Sequence, residues 1–338
     1  MRNLILLLIT LVSCSTFGED LPPHAVADQH GKLYYTGRIP RPKGLMELPI
    51  SREFLNRDAA YPKTLNRDLS KLSPVLNQGN CGSCVYFGCG TTWVDTMILR
   101  GMPYIAYSPE YVMECASRDW GCGGSFAEKF FTGLVAKGGT ALEADYPYRA
   151  SQGACKYNGP LHGKAIAWRI IDNSPKSIIG ALNDKRAVAV TIGAGGSFMN
   201  YKSGVFSACS NVGTNHQTSV VDYDCETAVD SAGNCAFDSA GKLPKGVGYW
   251  VMRNSWGKSW GDQGYIKIKM TSSSGAKCNN IAEEASVVDV GDPLPPPGPK
   301  VFTMESPAQS IKVTVPAEAK SDEAKARSIV QPFMDNLK

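Results

Sequence analysis

The chain opens with a short basic start, Met1-Arg2-Asn3, and an apolar run from Leu4 to Val12. That run is too short to span a bilayer and reads as an export signal over residues 1–18. No later run is long and apolar enough to cross a membrane. Residues 19–47 are polar, carry Pro, Gly and His, and show no helical period, as expected of a linker or short propeptide. Periodic apolar positions begin at about residue 48 and continue to residue 290. In the first half the spacing predicts helices over Cys84–Arg100, Ser108–Ser117 and Phe126–Lys137. Ser108 is placed as a cap and Pro109 at the first helical position. In the second half, strand-like runs cover Ala187–Ile192, His216–Asp224, Gly248–Asn254 and Gly264–Met270. Helices first and strands later predict an α+β fold with two packed lobes over residues 48–290. The Pro-rich stretch 291–300 reads as a semi-rigid linker. In the C-terminal extension 301–338, Ile311–Val315 alternates like a strand. Ser321 could cap a helix running to Lys338, which Pro332 interrupts.

Composition narrows the class. Hydrophobic residues make up 43% and charged residues 20%, enough for a packed core. The net charge of +4 is mild and spread along the chain, so nucleic acid is not an expected partner. Leu11-Val12-Ser13-Cys14 is similar to a bacterial lipoprotein signal, which makes Cys14 a candidate lipid-anchor site. The alternative is ordinary signal cleavage near Gly18. Both predict an exported product: secreted, periplasmic or an outer-membrane lipoprotein. Eleven cysteines agree with an oxidising compartment. Setting aside Cys14 and Cys84 leaves nine, so one further thiol should be free. Cys89, five residues after Cys84 on the same predicted helix, fits a small buried thiol.

Candidate chemistry centres on Gln78-Gly79-Asn80-Cys81-Gly82-Ser83-Cys84. A Cys opening a helix has its thiolate favoured by free N–H groups and the helix dipole. The Cys84 N–H and the Gln78 amide could together hold an oxyanion. Among four histidines, His216 heads an apolar strand-like run, and Arg253-Asn254-Ser255-Trp256-Gly257 lies downstream. Cys84, His216 and Asn254 thus supply a nucleophile, a base and an orienting group. Trp256 could shield the bond between His216 and Asn254 from water. Cys81-Gly82-Ser83-Cys84 also reads as a redox pair. No βαβ unit precedes it, however, and Gln78, His216 and Asn254 would then have no role. The Cys and His spacings fit no closed metal site, and nothing points to a cofactor.

These motifs resemble the papain family of cysteine peptidases. The resemblance rests on Gln78 to Cys84, on Asn215-His216, and on the ungapped run Asn254-Ser255-Trp256-Gly257-Lys258-Ser259-Trp260-Gly261-Asp262-Gln263-Gly264-Tyr265. Tyr146-Pro147-Tyr148 and Ser203-Gly204-Val205-Phe206 add further landmarks. It implies a two-lobed fold with a helical lobe, a β-barrel-like lobe and the site between them. It also implies a monomeric cysteine-type endopeptidase acting on peptides or proteins. Catalysis would use Cys84, His216, Asn254 and Gln78, and peptide would bind along Gly123, Gly124 and Trp256. The disulfides implied are Cys81–Cys122, Cys115–Cys155 and Cys209–Cys278, which leaves Cys225 and Cys235 to staple a local insert. By its place in Ile281-Ala282-Glu283-Glu284, Glu284 would lie at the base of the S2 pocket and favour a basic P2 residue. The chain departs from the family at Val85, where Trp is usual, at Gly88 and Gly90 inside the helix, and in its shortened loop Cys122–Ser125. These departures leave a catalytically impaired peptide-binding protein as the alternative reading.

Overall fold

A computed structural model describes residues 23–41 and 48–291, together with the backbone of two strands at 300–305 and 310–315. The expected signal segment, Cys14, the Pro-rich linker and the Ser321–Lys338 helix lie outside the described residues.

The described part of the chain begins with a small hairpin, β1 (Ala25–Ala27) and β2 (Leu33–Tyr35). Helix α1 (Cys84–Leu99) follows and is buried along almost its whole length. A short turn, α2 (Pro109–Tyr111), starts where Ser108 Oγ accepts the Tyr111 N–H at 2.9 Å. It continues as a π-helical turn over Val112–Ser117. Helix α3 (Ala127–Lys137) ends at Gly138, whose φ of 74° gives the left-handed cap that a side chain disfavours. The three predicted helices therefore appear within a residue or two of their expected bounds.

The second half supplies β3 (Ala165–Ile171), α4 (Pro175–Asn183), β4 (Val188–Ile192), β5 (Val205–Phe206), β6 (His216–Asp224), β7 (Tyr249–Arg253), β8 (Tyr265–Lys269) and β9 (Ala285–Val290). The chain ends its described part in an antiparallel pair, β10 (Lys300–Glu305) and β11 (Ser310–Val315). The main sheet runs β3-β9-β4-β6-β7-β8-β5 and is antiparallel except where β5 meets β8. The predicted strand runs fall on β4, β6, β7 and β8. Strands β1, β2, β3, β5 and β9 and helix α4 lie outside the predicted runs, although Ser174-Pro175 carries a cap-and-first-turn signal.

Two apolar cores build the two lobes. Trp93, Phe130, Phe131 and Leu134 fill the helical one. Ile178, Trp250, Met252, Ile266 and Ile268 fill the other. Strand β6 is buried from His216 to Tyr223 because α1 covers it. The α1–β6 seam explains one glycine that costs helix propensity. A Cβ on Gly88 would stand 2.7 Å from the Gln217 carbonyl oxygen, so the strand backbone occupies the space of a side chain. Gly88→Ala gains about 1 kcal/mol of helix propensity and loses about 1–3 kcal/mol to overpacking. A lowered melting temperature is expected; an unchanged or raised one would refute the close-packing account.

Among the described residues, four disulfides join Cys81–Cys122, Cys115–Cys155, Cys209–Cys278 and Cys225–Cys235. Cys84 and Cys89 are free and buried. Cys81 is therefore not paired with Cys84, which removes the redox-pair reading.

Candidate active site

Cys84 is the first residue of α1, and His216 is the first residue of β6. Asn254 follows directly on β7. Its position is fixed from behind by Arg253, whose guanidinium forms a buried ion pair with Asp95 of α1. Arg253 also donates to the Ser73 carbonyl at 2.6 Å, and Asp95 accepts from the Ser73 N–H and hydroxyl. Breaking one member of such a buried pair typically costs about 3–5 kcal/mol. This tie between the lobes was not legible beforehand; an Asp inside an apolar helix was its one sequence signal.

His216 and Asn254 share a hydrogen bond of 2.7 Å between Nε2 and Oδ1. Because Oδ1 only accepts, Nε2 carries the proton, and Nδ1 of the neutral ring is left unprotonated. Nδ1 is buried without a hydrogen-bond partner. The indole of Trp256 stacks on the imidazole with centroids 4.7 Å apart. Backbone N–H groups of Gln217, Arg38 and Val85 act on the Cys84 sulfur, so the residue after His216 lies against the thiol. Gln78 is clamped through Oε1, which accepts from Ser255 Oγ at 2.6 Å, and its Nε2 donates to the carbonyls of Thr36 (3.1 Å) and Cys81 (3.0 Å).

The Thr36 contact reveals that the cleft is occupied by the chain itself. Hairpin β1–β2 leans on the β lobe, with Tyr34 against Trp256 and the Trp256 Nε1–H donating to the Tyr35 carbonyl at 2.7 Å. The segment from Thr36 to Arg41 then crosses between the lobes. Gly37 and Arg38 donate to the Asn215 carbonyl, at 3.2 and 2.9 Å. On the opposite wall, Ser125 N–H donates to the Gly37 carbonyl (2.8 Å), and Ile39 N–H to the Ser125 carbonyl (3.0 Å), as a parallel bridge. A Cβ on Gly124 would stand 2.7 Å from the Gly37 oxygen, so this glycine lets the segment approach. Gly123 makes no such contact with the segment. Arg38 reaches Glu284, Nη2 to Oε1, at 2.5 Å.

Coverage changes the electrostatics from those expected of an open site. Burial pushes the Cys84 thiol up to about 12, against the helix-terminus effect and the neighbouring N–H groups. Burial likewise holds His216 down at about 4, against the Asn254 hydrogen bond. Both groups are therefore neutral at pH 7 in the covered state. The expected thiolate is absent here because desolvation outweighs the dipole.

Residues 62–288 match the family described as "Papain family cysteine protease". The chain belongs to that family. Ananain of Ananas comosus is 30% identical over 219 residues, covering 64% of this chain and 58% of ananain. A viral cathepsin of Choristoneura fumiferana nuclear polyhedrosis virus is 27% identical over 223 residues, covering 65% of this chain and 63% of the cathepsin. These matches thus span roughly three-fifths of those relatives' length. Among solved structures, the bromelain protease from Ananas comosus in complex with the E64 inhibitor superimposes with a TM-score of 0.56 at 29% identity, covering 68% of this chain and all of that one.

Proposed function

We propose that this protein is a cysteine-type endopeptidase, with residues 23–41 holding the described form latent. The observation that carries the reading is the constellation of Cys84 beside Gln217, His216 bonded to Asn254, and Gln78 donating to a backbone carbonyl lying in the cleft. In the open enzyme, water returns to the cleft and the cost of charging Cys84 and His216 falls. The Cys84 proton passes to His216 Nδ1, and the thiolate attacks the scissile carbonyl. Gln78 Nε2 then faces the oxyanion, as it faces the Thr36 carbonyl here. The imidazolium protonates the leaving amine, and His216 next activates the water that releases the acyl group. Asn254 holds the ring in the required tautomer, and Trp256 keeps water from that bond. Four disulfides among the described residues support an exported protein.

Labelling by an epoxysuccinyl thiol-protease inhibitor tests the assignment once the cleft is opened. Attachment at Cys84, absent from Cys84→Ala, is expected. No labelling and no turnover in a folded, opened sample would favour the peptide-binding alternative.

Glu284 supports a preference for a basic P2 residue, since the Arg38 guanidinium already pairs with it. Glu284→Gln should lower the ratio of Arg to Leu turnover at P2 by about 10-fold, the worth of one charge-assisted hydrogen bond. An unchanged ratio in a peptide panel would remove Glu284 from specificity.

A further inference from the structure

Arg38 is not the only cation in the cleft. Three residues on, Arg41 places Nε 2.5 Å from Glu128 Oε1 and Nη2 3.5 Å from Glu284 Oε2. Glu128 lies in the first turn of α3, on the helical wall, whereas Glu284 precedes β9 on the β wall. The two carboxylates are close enough for one guanidinium to span both. All four side chains are largely withdrawn from water, with Glu128 at 6% and Glu284 at 22% exposure. Among the described residues Arg41 is the one cation paired with the buried Glu128 carboxylate. When the segment leaves, the Arg38 and Arg41 guanidinium groups leave with it, and Glu128 and Glu284 lose the cations that pair with them here. An adjoining cavity of about 400 Å³ beside Ile50, Ile170 and Glu284 leaves room for long side chains.

We infer that Glu128 is a second specificity determinant, and that the open cleft selects peptides carrying two basic side chains: one at P2, held by Glu284, and one further from the scissile bond, held by Glu128. This rests on the peptidase reading for the direction of the peptide. Segment geometry gives the order. Tyr35 lies on the Trp256 side of Cys84, while the stretch from Arg38 to Arg41 runs along Ser125, Glu284 and Glu128 on the other side. A residue reaching Glu128 is therefore farther from the reacting carbonyl than one reaching Glu284. Three extended residues span about 10 Å, which puts the second basic side chain two to four positions before P2. Burial raises the Glu128 carboxyl above its ordinary range, with the Glu284 charge adding to the rise and Arg41 opposing it. A bound cation on Glu128 therefore does more than one on an exposed carboxylate, because it relieves a desolvated charge.

The test uses the full chain carrying Gly37→Ala, Arg38→Ala and Arg41→Ala, which releases the segment and frees both carboxylates, with iodoacetamide labelling of Cys84 in the intact-thiol version confirming an open cleft. Peptides have Arg or Leu at P2, with Lys or Gln scanned through the four positions before it. Turnover is measured with Cys84 intact. Binding of the same peptides, fluorescently labelled, is measured by anisotropy on the Cys84→Ala version. At one scanned position Lys should improve kcat/KM and affinity about 10-fold over Gln when P2 is Arg. Glu128→Gln should reduce that gain to below about 3-fold while the Arg-over-Leu preference at P2 persists, and Glu128→Asp should restore part of it. The inference is overturned if no scanned position prefers Lys, or if the preference survives Glu128→Gln. Absence of turnover with every peptide, neutral ones included, would be a failure of the peptidase reading instead. The binding arm would still decide the role of Glu128.

Discussion

Cys84→Ala should abolish peptide hydrolysis, lowering kcat by about 10⁴–10⁶-fold in opened enzyme while leaving the fold intact. The size follows from the acyl-transfer chemistry. Without the sulfur there is no covalent intermediate, and His216 has no proton to accept in the first step. What remains is Gln78 and the geometry of the cleft, which can polarise a carbonyl but supply no nucleophile. Truncating Cys to Ala at the start of α1 removes one sulfur and disturbs no disulfide, since Cys84 is unpaired. The measurement is initial rates on a fluorogenic peptide, with thermal unfolding as the folding control. A residual rate within about 100-fold of the unmodified chain would mean that another residue carries the nucleophile.

Gly37→Ala should open the cleft of the full chain. Gly37 sits at φ 125°, a conformation side chains rarely adopt, and a Cβ there would fall inside the contact shell of the Gly82 carbonyl. Gly82 is pinned by its own N–H bond to the Cys122 carbonyl beside the Cys81–Cys122 disulfide, so it has little freedom to retreat. The segment, not the wall, should give way. Opening rehydrates Cys84, which burial holds at about 12 in the covered state. A pKa raised this far leaves almost no thiolate at pH 7.5. Each unit of fall on opening multiplies the thiolate fraction by about ten. Iodoacetamide modification of Cys84, followed by mass spectrometry at pH 7.5, should therefore speed up by about 10²–10³-fold. The pH at which the rate reaches half its plateau should fall as well. An unchanged rate would mean that residues 36–41 do not control access to the thiol.

Much of this protein is legible along the chain. Helix α3 and strands β7 and β8 show burial that repeats at 3.6 or 2 residues, whereas α1, β4 and β6 are buried on nearly every side and are legible as continuous apolar runs of helical or strand length. Cys84, His216, Asn254 and Gln78 stand out in the sequence because their chemistry is rare in combination, and the fold brings them to one cleft. Strands β3 and β9 and helix α4 lie outside the predicted runs, although α4 carries both a Ser174 cap and helically spaced apolar positions at Ile178, Ile179, Ala181 and Leu182.

What the sequence by itself determined was residue type at positions whose neighbours in the chain carry the signal: helix starts, strand runs, and the glycines and cysteines around Cys84. Only the tertiary structure decided how distant positions meet. Arg38 with Glu284, Arg41 with Glu128, and Asp95 with Arg253 are contacts between separated segments that no local period encodes. The protonation of Cys84 belongs to the same category. The helix start that favours a thiolate is written in the sequence, but the burial that overrides it comes from a segment some forty residues earlier folding back across the cleft. Solvation is a property of the assembled surface, not of the chain.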